Sequence, residues 1–443
     1  MTRRRCLKWR VPHGGARAAY LMSEWRSQSR SAVPAAPATN FKVMVGRQPI
    51  LDRRKQVVAY ELLFNPADPL AAAEMSADDA AAHVIADGIL SVGLDTLAHD
   101  RRAFVELTPN FLRHDVVKVL PADRVVIQVP ADAGNDADAT YACRQLKRDG
   151  YTLALSHYTD AHEGSPLLPL VDFVKTGAPN LTPHPQGAAA APPATVAGDV
   201  QSIDTFNDAM RGGFTHFQGY FFEHPSSVPS RAIPCGQIGY LRLLYALNDA
   251  NLSLNDLEDL MKHDASLCYR LLRTVNSAGF AQSREITSIR DALLLLGRDT
   301  VRRWASLWVM TDLGANAHTE LVTMASIRGR FCEILTGKQR GADAAGEGFL
   351  LGMCSCLDVI LEQPMAALLA ELPLTTRVSD ALLGKDNPAR RLLSSAVAYE
   401  RGDWASTLCS AEAAGLNRAW LAPAHADALS WAHQLRQQPA KKS

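Results

Sequence analysis

Between residues 41 and 225, apolar side chains fall in short continuous runs. The runs are Val57–Phe64, Ala103–Leu107, Arg124–Val129, Tyr151–Leu155, Val171–Lys175, Thr195–Ala197 and His216–Phe222. Strands covered on both faces have this pattern. Helical stretches fit between several of them. One opens at Ser76, with Asp79 three residues on as a capping partner. A second covers Ala137–Arg148 and stops at Gly150. A third starts near Ser202 and stops at Gly212-Gly213, where glycine takes the left-handed position that ends a helix. Strand alternating with helix predicts a parallel sheet. Seven runs over this length predict a closed β/α barrel rather than an open sheet. Pro179–Pro193 holds five prolines, which no crossover helix tolerates, so an irregular loop is expected there.

From about residue 236 the apolar spacing becomes helical. Ser253 caps a helix through Lys262 that carries Leu254, Leu257, Leu260 and Met261 on one face. A second helix is expected over Ala265–Val275, and a third opens at Ser288, with Asp291 at the capping-box position and Gly297 at its end. A fourth sets Val301, Trp304, Ala305 and Trp308 on one buried stripe and closes at Gly314. Further helices are expected at 319–336, 346–361, 364–371, 375–383 and 388–401, with a last pair near 403–436. The pattern predicts three regions: residues 1–40, a barrel over 41–230 and an all-α domain over 236–436.

Composition narrows the functional classes. Hydrophobic residues make up 47% and charged residues 21%, an ordinary globular balance. Lys+Arg and Asp+Glu both number 46, so no chain-wide basic field exists and nucleic-acid binding is not expected. The charge is uneven, however. Residues 1–40 hold eight basic residues and one acid, Glu24, and end in a Pro- and Ala-rich stretch. A disordered tail is expected there, or an extension upstream of the true start, because so polar a segment cannot bury a core. The eight cysteines are scattered and form no C-x-x-C pair, which suits small apolar side chains in a reducing compartment. Without an apolar stretch long enough to span a bilayer or to serve as a secretion signal, a cytoplasmic protein is expected.

Several motifs occur in a familiar order. GRQPILDRRKQVVAYELLF (Gly46–Phe64), FVKTG (Phe173–Gly177) and FQGYFFEHP (Phe217–Pro225) are similar to the entry, lysine-strand and last-strand motifs of cyclic-di-GMP phosphodiesterase (EAL) barrels. Lys262–Phe280, Ile286–Trp304, residues 348–364 and AYERGDW (398–404) resemble an HDOD domain. The chain thus resembles an EAL–HDOD pair: a TIM-like α/β barrel followed by an all-α, HD-like domain.

That resemblance implies a barrel mouth where carboxylate and amide oxygens hold two divalent cations. Glu61 matches the glutamate of the signature, Lys175 the lysine and Gln218 the late glutamine. The other matched positions have changed. Asn65 stands at a phosphate-gripping Arg, Glu106 at a metal-binding Asn and Gln128 at a ligand Glu. Ser156 and His157 stand at the paired aspartates, and Gly177 at the Asp after the lysine. Gly198 and Gln201 lie where late glutamates are expected. The loss of anionic oxygens leaves too little charge for two close cations. The sequence therefore predicts Glu61, Lys175 and Gln218 as remnants, with no catalytic residue, no metal site and no cofactor. His157, His162, Glu163 and His184 share no helical spacing, so a transition-metal cluster of these residues is not expected.

His263-Asp264 resembles an HD doublet but precedes a helix, so Asp264 reads as an N-cap. Ser355-Cys356 occupies the place where a hydrolase doublet is expected, and Asn276-Ser277 reads as a polar helix end. The resemblance implies a non-catalytic signalling protein in cyclic-di-GMP-related control of motility or biofilm. Such a protein would act through protein partners and, as a family habit, as a homodimer. A sensor that binds cyclic-di-GMP without cleaving it, and a weak metal-dependent phosphodiesterase, are the alternatives.

Overall fold

Eight strands close into a barrel in the order β1 to β8. The strands are β1 (Val43–Asp52), β2 (Val57–Pro66), β3 (Arg102–Glu106), β4 (Val125–Pro130), β5 (Thr152–Tyr158), β6 (Phe173–Thr176), β7 (Ala194–Ala197) and β8 (His216–Gln218). The computed structural model describes residues 43–66, 92–177, 192–223, 240, 243–249, 251–262, 265–276, 286, 288–313, 319–370, 372 and 374–436. The expected tail, the Ser76 helix and most of the proline loop lie outside these residues.

Seven of the strands coincide with the expected apolar runs; β1 does not. Gly46, Arg47, Gln48 and Pro49 interrupt its apolar character, and it pairs antiparallel with both β2 and β8. The remaining neighbours are parallel. The expected parallel sheet holds for β2 to β8 and is corrected at β1. The cause is local: Asp52 Oδ1 accepts hydrogen bonds from the N–H of Arg54 and of Gln56, both at 2.8 Å. This turn reverses the chain within four residues, too short a span for a parallel crossover. The last strand is also shorter than the run His216–Phe222, because the backbone enters a 3₁₀ turn at Phe221–Glu223.

Of the described crossover helices, two carry side-chain caps and the first, preceded by Gly93, has none. Helix α1 spans Leu94–Ala98, α2 spans Ala137–Arg148 and α3 spans Ile203–Arg211. Asp136 caps α2 by accepting from the N–H of Asp138 and Ala139, and Ser202 caps α3 by accepting from Thr205 N–H. After α3 it is Gly213, at φ 98, that takes the left-handed conformation.

The chain forms two compact units, and the first is not continuous in sequence. It takes in Ala398–Trp404 and Leu421–Ala426 along with the barrel. Within this unit the Val45 amide donates to the Tyr399 hydroxyl at 3.2 Å, and Tyr220 donates to the Glu400 carbonyl at 2.9 Å. Arg401 pairs with Glu223 at 2.7 Å, and the rings of Tyr399 and His425 lie 4.3 Å apart. Gly46 permits this packing, since a Cβ there would meet the Tyr399 carbonyl oxygen at 2.9 Å.

His425 is wholly enclosed. Burial, reinforced by the charge of Arg47, lowers its pKa from 6.5 to about 3. A depressed folded-state value means that the neutral ring stabilises the fold above pH 6.5. That contribution is lost as pH falls toward 3. Denaturant midpoints are expected to drop steadily between pH 6.5 and 4, and His425→Phe is expected to flatten that slope. An unchanged slope in the variant would assign the acid sensitivity to other groups.

The second unit is helical, with α4 (Leu254–Lys262), α5 (Ala265–Val275), α6 (Ile289–Leu296), α7 (Arg298–Leu313), α8 (Thr319–Arg340) and α9 (Ala345–Cys354) among its elements. Ser253 and Ser288 act as the expected caps, accepting from the N–H of Asp256 and Asp291. Val301, Trp304 and Ala305 are buried, and Trp308 is partly so. One expected helix, 346–361, is broken. α9 ends at Cys354 and a short helix, α10, covers Leu357–Leu361. The Ser355 hydroxyl donates to the Gly352 carbonyl at 2.7 Å, competing with the helical ladder.

Burial also pushes the thiols of Cys143 and Cys354 up to about 12, so both behave as apolar side chains. Among the described residues, no helix is long and apolar enough to cross a membrane.

Candidate functional site

The barrel interior is layered. Ile50, Ala59, Phe104, Val126, Ala154 and Val196 form an apolar layer, with Phe173 packed against it. Side chains alternate along a strand, so the residue two positions toward the mouth lies on the same inner face. Applied strand by strand, this rule gives Gln48, Glu61, Glu106, Gln128, Ser156, Lys175 and Gly198. On β8, Gln218 follows His216, whose ring packs on Phe173 at 5.5 Å. The upper layer therefore contains both carboxylates, the lysine and all three glutamines of the candidate site.

Glu61 is its centre and is only 1% exposed. Lys175 Nζ lies 2.8 and 2.7 Å from its two oxygens. Gln218 Nε2 donates to Glu61 Oε2, and also to Gln48 Oε1 at 2.6 Å. Gln128 Nε2 donates to Glu61 Oε1 at 3.2 Å and to Glu106 Oε2 at 2.9 Å. One amide thus joins two carboxylates on adjacent strands, and one ammonium neutralises the deeper of them. Gly198 makes room for this, since a Cβ there would stand 3.3 Å from the Lys175 stem. Because both amides must present nitrogen to carboxylates, their oxygens point elsewhere. Gln128 Oε1, Gln218 Oε1 and Ser156 Oγ are buried without a hydrogen-bond partner.

His157 stands at the exposed rim of this network. Its backbone is left-handed (φ 57), beside a register shift between Leu155 and Tyr158, and its side chain is 72% exposed. Its Nε2 stands 3.7 Å from Glu106 Oε2. His162 turns away to Thr159, whose N–H donates to Nδ1 at 3.0 Å, and to Asp132, 2.9 Å from Nε2. The two histidines are therefore not brought together, and His184 lies outside the described residues. Gln201 donates to Asp199 at 2.7 Å, and Gly177 is exposed beyond β6. Asn65, paired in register with Met44, lies near the end of β2. Among the described residues, no group of three or more His, Cys, Asp or Glu side chains is placed to hold a metal ion. Gln48 is the site residue that sequence reasoning missed; its only signal was its place in an apolar-poor strand.

In the helical unit, Arg328 Nη1 donates to Ser355 Oγ at 2.9 Å and approaches Cys356 Sγ at 3.3 Å. Asn276 is tied to the backbone of Ile286, donating to its carbonyl at 2.7 Å and accepting from its N–H at 2.8 Å. Its side chain is thereby used structurally. His263, Asp264 and Ser277 lie outside the described residues.

Fold and site define a barrel protein with a polar, partly neutralised mouth and a helical module after it. Residues 237–363 match the HDOD domain family model. The chain is 28% identical over 408 residues to "Uncharacterized protein YuxH" of Bacillus subtilis (strain 168), covering 89% of this chain and 99% of that protein. It is 29% identical over 374 residues to "Cyclic di-GMP phosphodiesterase CdgJ" of Vibrio cholerae serotype O1, covering 83% and 87%. Among solved structures, an EAL domain protein from Listeria monocytogenes EGD-e is similar at 14% identity, 43% coverage of this chain, 94% of that chain and a TM-score of 0.33. A closed eight-stranded barrel followed by a helical region whose residues 237–363 match the HDOD family model is the order that the motifs predicted.

Proposed function

We propose that this protein is a non-catalytic signalling protein that acts in cyclic-di-GMP-related control through protein contacts, in the cytoplasm. The observation that carries this reading is the saturation of Glu61. Both oxygens of the one retained signature carboxylate are occupied by Lys175 and by the amides of Gln128 and Gln218. A divalent ion at Glu61 would have to displace an ammonium at 2.7 Å, with Glu106 as the second carboxylate in that network. Mg²⁺ and Mn²⁺ require several oxygens in octahedral array, and two such ions demand more negative charge than this set supplies. The donor set therefore does not fit a pair of cations acting on a phosphodiester. In this reading Glu61, Lys175 and Gln218 are a structural remnant that keeps the mouth closed around a polar core. The partner is another signalling protein or a second copy of this chain.

A second reading is favoured by the relative named a cyclic-di-GMP phosphodiesterase. In that reading the mouth still binds the dinucleotide, using the unpaired oxygens of Gln128 and Gln218 as acceptors, and cleaves it weakly or not at all.

One assay separates them. Purified full-length protein is incubated with cyclic-di-GMP and Mn²⁺ or Mg²⁺, and products are followed chromatographically, with calorimetry for binding. The expected result is no turnover and no binding heat at micromolar ligand. Binding without turnover would favour the sensor, and turnover abolished by Glu61→Ala would overturn the non-catalytic reading.

A further inference from the structure

A second cluster of charge lies in the helical unit, far in sequence from the barrel motifs. Arg302 and Arg303 stand on α7, and Arg330 and Glu333 on α8. Glu333 is 3% exposed. Arg302 reaches its Oε1 at 2.9 Å, Arg303 reaches the same oxygen at 3.5 Å, and Arg330 reaches Oε2 at 3.0 Å. Asp427 adds a half-exposed carboxylate 3.4 Å from Arg330. The nearby Asp299 is engaged by Arg298 at 3.4 Å.

Three guanidinium groups therefore converge on one buried carboxylate, with one more carboxylate at the rim. Among the described residues of this cluster one positive charge is left over, and so are donors. Nε of Arg302, of Arg303 and of Arg330 is buried without a partner. Arg302, whose side chain is 9% exposed, packs against Gly346, where a Cβ would stand 2.9 Å from its Nη1. Burial, aided by the neighbouring charges of Arg330 and Arg302, lowers the pKa of Arg303. Surplus positive charge around one buried carboxylate is costly, and an anion bound at the exposed edges of Arg303 and Arg330 relieves it. Arg303 and Arg330 keep 20% and 18% of their side chains exposed, so the cluster reaches the surface.

We infer that Arg302, Arg303 and Arg330 form a binding site for a phosphate-bearing anion in the helical module. Planar guanidinium forks suit the oxygens of a phosphate, which accept several N–H groups at once. Glu333 orients the three arginines and lowers the affinity by neutralising one of them. The site shares no residue with the barrel mouth and does not depend on the function proposed for it.

The test uses the full-length chain and inorganic phosphate as probe. Phosphate at about 10 mM is expected to raise the melting midpoint of the helical unit by roughly 2–4 °C over chloride of equal ionic strength. Acetate is expected to do less. Arg303→Met is expected to abolish the shift, whereas Arg391→Met, in a surface pair elsewhere, retains it. Glu333→Gln unmasks another positive charge and is expected to enlarge the shift even where its starting stability is lower. That response distinguishes a ligand site from a purely structural ion cluster. No phosphate effect, an equal acetate effect, or a shift undiminished in Arg303→Met and unchanged in Glu333→Gln would overturn the inference.

Discussion

Lys175→Met is expected to destabilise the barrel by about 3–5 kcal/mol, the usual consequence of leaving a buried ion without its partner. Glu61 would remain enclosed, and the amides of Gln128 and Gln218 are weaker partners for its charge than an ammonium. Glu61→Gln is expected to cost less, because Lys175, at 16% side-chain exposure, retains some access to water. The double variant Glu61→Gln/Lys175→Met is expected to recover most of the loss, since neither charge then remains buried. Guanidinium unfolding of the four proteins in a double-mutant cycle measures the coupling. A coupling near zero would mean that the pair does not organise the mouth and that Glu61 is not a neutralised remnant.

The second large effect is expected at the crossing of α8 and α9. Gly348 and Gly352 present one glycine edge of α9 to α8. A Cβ on Gly352 would collide with the carbonyl of Arg328 and stand 2.5 Å from the Gly329 nitrogen. A Cβ on Gly348 would stand 2.5 Å from the Cys332 carbonyl oxygen. These are backbone atoms and cannot rotate away, so the helices themselves must separate. Gly352→Ala is expected to cost about 2–3 kcal/mol by overpacking, and Gly352→Val more. An Ala substitution at Gly384, where nothing stands within 4 Å of a Cβ, tests backbone strain without the clash. Thermal unfolding that shows Gly352→Ala no worse than wild type would disprove close backbone packing at this crossing.

Much of the fold was legible because it rests on local periodicity. Seven apolar runs became seven strands, and Ser202, Ser253 and Ser288 capped the helices they precede. β1 escaped because the antiparallel hairpin is dictated by an Asp52 side-chain turn rather than by an apolar run. The break at Ser355-Cys356 escaped because it depends on a hydroxyl reaching back to a carbonyl and on Arg328 arriving from another helix. In the site, the resemblance of the motifs singled out Glu61, Glu106, Gln128, Lys175 and Gln218. It did not show that Gln128 would bridge Glu61 and Glu106, a link that requires β2, β3 and β4 to stand side by side.

The sequence alone determined the alternation of strand and helix, the helical second region and the identity of the polar residues near the barrel mouth. The first two follow from spacing along one segment; the third came from the resemblance of the motifs to EAL barrels and did not include Gln48. Only the tertiary structure decided that Ala398–Trp404 packs within the barrel unit, that Lys175 is spent on Glu61, and that three arginines crowd one glutamate on α8. Those outcomes depend on which charges meet across distant segments and how little water reaches them, and no periodicity in a single chain encodes such distances.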